Sequence, residues 1–354
     1  MKYRKMLTGR EEHTPSNQIA VPEISTDLAE VLPAPYLLRH ASILSMDISD
    51  DGRRDSALVD TSEGYFAMHD AEGEMAAGQV LGAIKSAPKR AEALARGASI
   101  TGSDELMAAA HHQVDMFDPV IDRAYAYGAI GANGDEQGFQ KGRRMVRRRR
   151  WMQRLEMCHF PEAEQALALY TLGEFGDAES AEEAGDIINA LPLRTRTMLA
   201  VEQAAGGDLD PLSTLLDSHN ITVDALTPHK DKLIPTAIGY MMEGDTMRAA
   251  HVLAAAHGTD RPLELLQTSV KITKSLRPKS MKSILVKEGF AGIDDEVLCI
   301  QRQKSPYYRD FAAGLAVEEL SELSQDPDLH ALPGRDKKSV RSLGTAIASR
   351  FRKP

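Results

Sequence analysis

The chain has 354 residues, which is enough for two domains or for one large body with lobes. Hydrophobic residues make up 42% of the sequence and charged residues 27%, a composition that excludes a disordered chain. Two cysteines, Cys158 and Cys299, exclude a disulfide framework and are typical of a reducing compartment. The basic first ten residues lack the apolar core of a signal peptide, and no apolar run approaches about eighteen residues. We therefore expect a cytoplasmic protein without a membrane span.

The N-terminal part of the chain is predicted to contain a polar arm followed by a lobe. Residues 1–25 are polar and show no helical period, which predicts an N-terminal arm. Residues 26–127 are expected to form an N-terminal lobe that begins with a short helix at 26–32. The polar turn Asp50-Asp51-Gly52 then lies among runs that alternate apolar and polar residues, a pattern typical of short strands. This pattern predicts a small β-meander at 42–48, 56–59 and 65–68.

Helical composition follows the predicted strands. From residue 72 onward the content of Ala, Leu, Met and Glu rises, and β-prone runs nearly vanish. The apolar period predicts helices at 74–86, 88–95, 104–116 and 119–127.

A cluster of glycines interrupts this helical pattern. It consists of Gly128, Gly131, Gly134, Gly138 and Gly142. Because the cluster removes both apolar period and backbone stiffness, it predicts a Gly-rich hinge at 128–142. No buried strand is expected before the glycines, which argues against a phosphate-binding loop. A helical C-terminal lobe is expected at 143–325.

Three Gly-Asp dipeptides recur in the predicted C-terminal lobe, namely Gly176-Asp177, Gly207-Asp208 and Gly244-Asp245. Glycine can end one helix in the left-handed conformation, and aspartate can cap the next helix. The dipeptides therefore predict stacked αα-hairpins. The predicted fold is mainly α, with two helical lobes, a small β-meander in the N-terminal lobe and stacked αα-hairpins in the C-terminal lobe.

Charge is distributed very unevenly along the chain. Residues 141–154 contain eight basic side chains and no acidic one, and residues 271–287 contain six and none. Residues 335–354 contain seven basic side chains and one acidic. These 51 residues carry +20 and the other 303 carry −30, although the net charge is only −10. Such segregation predicts basic surfaces, suited to a polyanion, on an acidic body.

The first basic segment has helical spacing. Arg143, Arg147, Arg150 and Arg154, which we call the arginine row, are spaced so that they share one helical face. Arginine binds phosphate through two parallel hydrogen bonds and keeps its charge at physiological pH. The predicted RNA-binding residues of this segment are the arginine row together with Arg144 and Arg148. For the neighbouring Trp151, core packing is favoured over base stacking.

Two further groups complete the predicted RNA-binding set. Lys271, Lys274, Arg277, Lys279 and Lys282 form the first group, and Lys304, Tyr307, Tyr308 and Arg309 form the second. Lysines provide phosphate contacts that do not depend on base sequence. Aromatic side chains among cations are typical of single-strand binding, because every base has a face that can stack.

The end of the chain has a different pattern. Residues 326–354 are predicted to form a basic C-terminal arm, in which Val340, Leu343, either Ala346 or Ile347, and Phe351 make an apolar stripe among basic residues. Such a segment can dock on a protein or on a membrane surface. Docking on protein is favoured because the rest of the chain is acidic, and we expect both terminal arms to join copies into a homo-oligomer.

No catalytic or metal-binding constellation is present in the sequence. His111, His112, His251 and His257 lack further ligands at metal-binding spacing. Nucleophile and metalloprotease signatures are also absent. We therefore expect no enzyme activity, no catalytic residues, no cofactor and no bound metal.

The segment Lys304-Ser305-Pro306-Tyr307 resembles a Lys-Ser-Pro-Tyr segment in the nucleoproteins of negative-strand RNA viruses, those of rhabdoviruses in particular. In that family two mainly helical lobes hold single-stranded RNA in a basic cleft, and terminal extensions reach neighbouring subunits. The resemblance implies that Lys304 contacts RNA. It also implies a location in the virion and the host cytoplasm.

Charge and organisation together predict a self-assembling nucleocapsid protein that coats single-stranded RNA without sequence specificity. In this hypothesis the basic groups converge on one cleft between the lobes. An alternative is a helical-hairpin scaffold or adaptor that binds acidic protein partners. The two hypotheses differ in whether the basic surface binds phosphates or carboxylates.

Overall fold

The computed structural model describes residues 33–116, 119–155, 161–206, 208–218, 226–257, 279–304 and 306–326. Within these ranges the chain forms sixteen α-helices and one short 3₁₀ turn, Thr227–His229, and no strand. None of these helices is long and apolar enough to cross a membrane. The predictions for the N-terminal arm, the helix at 26–32 and the C-terminal arm beyond residue 326 lie outside the described residues.

The helices are numbered here in chain order. The first eight are α1 (Pro33–Asp47), α2 (Asp51–Phe66), α3 (Ala71–Ala83), α4 (Ala87–Thr101), α5 (Asp104–Asp115), α6 (Val120–Ala132), α7 (Gln137–Arg154) and α8 (Glu162–Glu174). The remaining eight are α9 (Ala178–Ala190), α10 (Leu193–Gly206), α11 (Asp210–Asp217), α12 (Lys230–Glu243), α13 (Thr246–His257), α14 (Met281–Glu288), α15 (Phe290–Gln301) and α16 (Pro306–Ser324). The mainly α prediction is therefore confirmed.

The predicted β-meander is wrong, because its residues lie in or directly after α1 and α2. The alternating polar residues are serines and threonines buried between helices, where their hydroxyls donate to the preceding turn. Ser45 Oγ donates to the carbonyl of Ala41 (2.8 Å), and Thr61 Oγ1 donates to that of Ala57 (2.8 Å). A hydroxyl satisfied in this way can be buried in a helix. The expected turn at 50–52 is the start of α2, where Asp50 accepts a hydrogen bond from the backbone N–H of Arg53.

The glycine-rich segment 128–142 does not lose helical structure, contrary to the prediction. Its glycines lie mostly in α6 and α7, and the connection between these helices is short. A Cβ atom on Gly131 would lie 2.6 Å from the ring of Phe139, and one on Gly142 would lie 2.7 Å from Leu172 Cδ2. The glycines therefore allow helices to approach closely. The division of the chain into lobes stays a prediction.

The Gly-Asp dipeptides separate consecutive helices in the two cases that the structure describes fully. The expected cap is wrong for Asp177, whose side chain accepts no hydrogen bond from the free backbone N–H groups of α9. Gly176 has φ +103° at the end of α8, and Gly244 has φ +87° at the end of α12. Asp245 then caps α13 by accepting from the backbone N–H of Arg248 (3.0 Å). The pairs α8/α9 and α12/α13 pack as αα-hairpins. Gly207 lies outside the described residues.

Four clusters of buried apolar residues hold the helices together. The first combines α1 with α14, α15 and α16, so the two ends of the described chain share one core. The second joins residues of α4, α5 and α6 to residues of α7, α8 and α9, and so continues across 128–142. The third contains residues of α10, α11, α12 and α13, and the fourth contains residues of α1, α2, α3 and α4. Alanine is frequent in the second core, which lets its helices lie close together.

Two glycines on α3 face open space, and we expect alanine to improve the helix there. A Cβ atom on Gly78 or Gly82 would meet nothing within 4 Å. Each of the substitutions Gly78→Ala and Gly82→Ala should therefore raise the free energy of unfolding by about 0.5–1 kcal/mol. Urea unfolding measures the effect. The control is Gly97→Ala on α4, where the new Cβ would lie 2.5 Å from the buried ring of Phe66 and should destabilise the protein. Equal effects at all three positions would contradict the prediction.

Candidate nucleic-acid interface

The orientation of α7 is set by its smallest residues. Gly138, Gly142 and Val146 form its buried face. A Cβ atom on Gly138 would lie 2.6 Å from the carbonyl oxygen of Tyr127, so no larger residue fits there without movement of α6. Because the buried face is fixed by these contacts, each arginine of α7 has a defined direction.

The arginine row faces the first turns of α9, which are acidic. Arg143 pairs with Asp177, Arg147 with Glu179 and Arg150 with Glu183, and Arg143 Nη1 also lies 3.3 Å from Glu179 Oε2. These three predicted RNA-binding arginines are therefore ion-paired in the free protein, and their contact with phosphate stays a prediction. The physical reason is that α9 folds back beside α7 and supplies carboxylates at matching intervals.

The ion pairs differ in their exposure to solvent. Asp177 is only 6% exposed, and it also accepts a hydrogen bond from Ser180 Oγ (2.6 Å). Its pairing with Arg143 therefore secures the start of α9 to α7. By contrast, the side chains of Arg147 and Glu179 are 54% and 53% exposed. An ion pair at that exposure contributes about 0–1 kcal/mol to stability.

A second row on α7 faces solvent, and we call it the exposed stripe. It consists of Arg144, Arg148, Trp151 and Leu155, which have the same helical spacing as the arginine row. Trp151 is 59% exposed, so the prediction that it packs in the core is wrong. Within the described part of the chain, no carboxylate pairs with Arg144, Arg148 or the exposed Arg154. The exposed stripe thus combines exposed cations with an open indole ring.

The spacing of small residues in the sequence of α7 indicates where this stripe lies. Positions 138, 142 and 146 hold Gly, Gly and Val, the smallest residues with helical spacing in α7. That spacing defines the buried face, and the exposed stripe lies on the side opposite to it. The sequence-based prediction for Trp151 is core packing, because its large ring can bury extensive apolar surface.

The first turns of α7 contain one further basic residue, Lys141. Lys141 Nζ lies 3.3 Å from His111 Nδ1, and His111 Nε2 lies 2.7 Å from Asp135 Oδ2. Burial acts to raise the pKa of Asp135. The hydrogen bonds from His111 and from the backbone N–H of Gln137 outweigh that effect and lower this pKa. These contacts join α5 to the start of α7.

The second predicted group is described only in part. Lys271, Lys274 and Arg277 lie outside the described residues. Lys279 is exposed before α14, and its backbone N–H donates to Glu296 Oε1 (3.3 Å). Lys282 is partly buried on α14.

The third predicted group lies around the start of α16. Lys304 is exposed in the turn before this helix. Arg309 Nε lies 3.6 Å from Asp310 Oδ1, and Asp310 is buried. The side chains of Tyr307 and Tyr308 lie outside the described part of the structure.

The described contacts do not bring the three basic groups together. Helix α7 packs on α6 and α8 and belongs to the second core, whereas α14 and α16 belong to the first core. Convergence of the groups in a single cleft therefore stays a prediction.

A buried charged cluster near Glu92 is a different kind of site. Glu92 is 2% exposed, and it pairs with Arg96 (2.6 Å) and Lys89 (3.1 Å) and accepts from the Tyr125 hydroxyl. Arg96 also binds Asp60 (3.2 Å) on α2. Burial raises the pKa of Asp60 to about 6. Because these contacts come from three helices, the cluster joins α2, α4 and α6. Both of its cations, Lys89 and Arg96, are bound to carboxylates.

The described residues contain no group of three or more His, Cys, Asp or Glu side chains that could hold a metal ion. Comparison of the chain with family models, with curated proteins and with solved structures gives no match. The resemblance to viral nucleoproteins and the absence of enzyme activity both stay predictions.

The buried and the exposed ion pairs of the arginine row predict different losses of unfolding free energy on substitution. Arg143→Ala leaves the buried carboxylate of Asp177 without its cation and should lower the free energy of unfolding by about 2 kcal/mol or more. Arg147→Ala removes an exposed pair and should change it by less than about 1 kcal/mol. Urea unfolding of both variants measures the difference. Similar losses of unfolding free energy in the two variants would contradict the predicted effect of the burial of Asp177.

Proposed function

We propose that the protein is a nucleocapsid protein that coats single-stranded RNA, with the exposed stripe of α7 as part of its RNA-binding surface. The observation that carries this proposal is the exposure of Arg144, Arg148 and Trp151 along one helical face. Guanidinium groups bind backbone phosphates, and an open aromatic ring can stack on any base. Such a surface binds RNA without reading its sequence.

The remaining parts of the proposal rest on the sequence. Lys304 would contribute a further phosphate contact, as the resemblance to rhabdovirus nucleoproteins implies. The terminal arms would join copies of the protein into a homo-oligomer, because the basic C-terminal arm complements the acidic remainder of the chain. A coat of this kind would be found in the virion and in the host cytoplasm.

A helical-hairpin scaffold that binds acidic proteins is the second candidate. The observation that favours it is the pairing of α7 with the acidic helix α9 within this chain. The absorbance ratio of the purified protein at 260 and 280 nm separates the two candidates. A coat protein carries cellular RNA through purification and has a high ratio, whereas a scaffold for proteins does not.

Titration of short poly-U at several salt concentrations tests the RNA-binding surface. The double variant Arg144→Ala/Arg148→Ala should bind more weakly, and its log–log salt slope should become shallower by about 1.4, which is about 0.7 for each lost phosphate contact. Trp151→Ala should weaken binding by about 1–3 kcal/mol with little change in slope, because stacking releases no counterions.

The matched control is Arg194→Ala/Lys230→Ala, which removes two exposed cations from α10 and α12, outside the three basic segments. This control should keep most of the affinity. If the wild-type protein does not bind poly-U, the proposal is wrong. If the control loses as much affinity as Arg144→Ala/Arg148→Ala, binding depends on overall charge and not on α7.

Deletion of residues 330–354 tests the proposed role of the C-terminal arm. The arm holds seven of the basic residues counted above, and its removal takes away the charge that would attract a neighbouring acidic body. We expect the shortened protein to elute as a smaller species than the full chain in sizing chromatography. Identical elution of the two proteins would exclude the arm as the contact between copies.

A further inference from the structure

We propose that helix α9 is a built-in competitor for phosphate. In the free protein Glu179 and Glu183 bind Arg147 and Arg150, and the RNA backbone displaces them when it binds along α7. This inference rests on the proposed RNA-binding function and specifies how that site is regulated.

The chemistry of the ion pairs supports an exchange. A carboxylate and a phosphate diester both accept charge-assisted hydrogen bonds from a guanidinium group. Glu179 and Glu183 are four residues apart on α9, which places them about 6 Å apart along the helix axis. Two negative groups thus stand in a row beside α7, as consecutive phosphates of a bound strand would.

Exposure decides which pairs can exchange. Arg147 and Glu179 are both more than half exposed, and about three tenths of each side chain of the Arg150–Glu183 pair is exposed. A polyanion can therefore reach these two arginines from solvent. Asp177 is buried and also binds Ser180, so Arg143 stays paired with it while the other two arginines change partners.

The position of Arg147 connects the ion pairs to the exposed stripe. Arg147 belongs to the arginine row by its spacing, and it is also exposed next to Arg148. A strand bound to Arg144 and Arg148 would pass within reach of Arg147, because neighbouring side chains on this surface of α7 are a few ångströms apart. Displaced carboxylates would then lie near the bound phosphates and repel them. The acidic helix should therefore lower both the affinity for RNA and the number of phosphates that the protein neutralises.

The experiment compares two charge-matched variants by poly-U titration at several salt concentrations. Glu179→Gln/Glu183→Gln removes the competing carboxylates. Glu182→Gln/Asp186→Asn removes two exposed carboxylates with the same spacing on the same helix, neither of which is ion-paired within the described residues. We expect the first variant to bind about tenfold more tightly, with a slope steeper by about 1.4 for two freed guanidinium groups. The second variant should stay close to the wild-type protein.

A further pair of substitutions tests whether the gain acts through the arginines. Adding Arg147→Ala/Arg150→Ala to Glu179→Gln/Glu183→Gln should abolish both the gain in affinity and the steeper slope. Thermal unfolding of every variant checks that the helices are intact. If the double glutamine variant does not fold, Glu179→Gln alone, at the more exposed pair, should give a smaller gain of the same kind.

The outcomes separate this inference from the proposed function. If the wild-type protein and both charge-matched variants bind poly-U equally, or if the two variants gain equally, α9 is not a competitor, although RNA binding stands. If only Glu179→Gln/Glu183→Gln binds measurably, RNA does not displace the carboxylates of the wild-type protein, and the inference and the proposed function are both wrong. If none of the proteins binds, the proposed function and the inference are both wrong.

Discussion

The close approach of α7 to α6 and α8 decides what the basic helix can do. Gly138 and Gly142 have no side chain where α7 meets its neighbours, and larger residues would collide with backbone or with Leu172. This contact fixes the rotation of α7 about its axis. One set of arginines therefore faces α9, and the other set faces solvent with Trp151. A rotation of α7 by a single residue position would exchange partly buried and exposed guanidinium groups.

Burial gives chemically similar ion pairs different roles. Around Glu92 and Asp177 the carboxylates are buried, and their cations are needed to offset the loss of hydration. Such pairs hold helices together and are not available to a ligand. At Arg147 and Glu179 water solvates both groups, so the pair is weak and either partner can bind another ion. A basic surface on an acidic protein can thus be partly covered by the protein's own carboxylates.

The arrangement of the cores explains why much of the topology was not predictable. Helix α1 packs most extensively on α16, and their residues are far apart in the sequence. Periodicity reports which face of a helix is apolar and does not report which distant helix covers it. The buried serines and threonines of α1 and α2 are a related case. Their alternation with apolar residues is typical of strands. Hydrogen bonds such as the one from Ser45 to the carbonyl of Ala41 allow these hydroxyls to be buried in a helix instead.

By itself the sequence determined that the protein is mainly helical, that Gly176 and Gly244 end helices, and that basic residues are concentrated in a few segments. These properties depend on local conformational preference and on composition, both of which can be read within a few residues. Tertiary structure alone decided that Arg143, Arg147 and Arg150 are ion-paired and that Trp151 is exposed. The physical reason is that ion pairing and burial depend on the neighbour, and the neighbour of α7 is a helix whose own first turns carry the opposite charge.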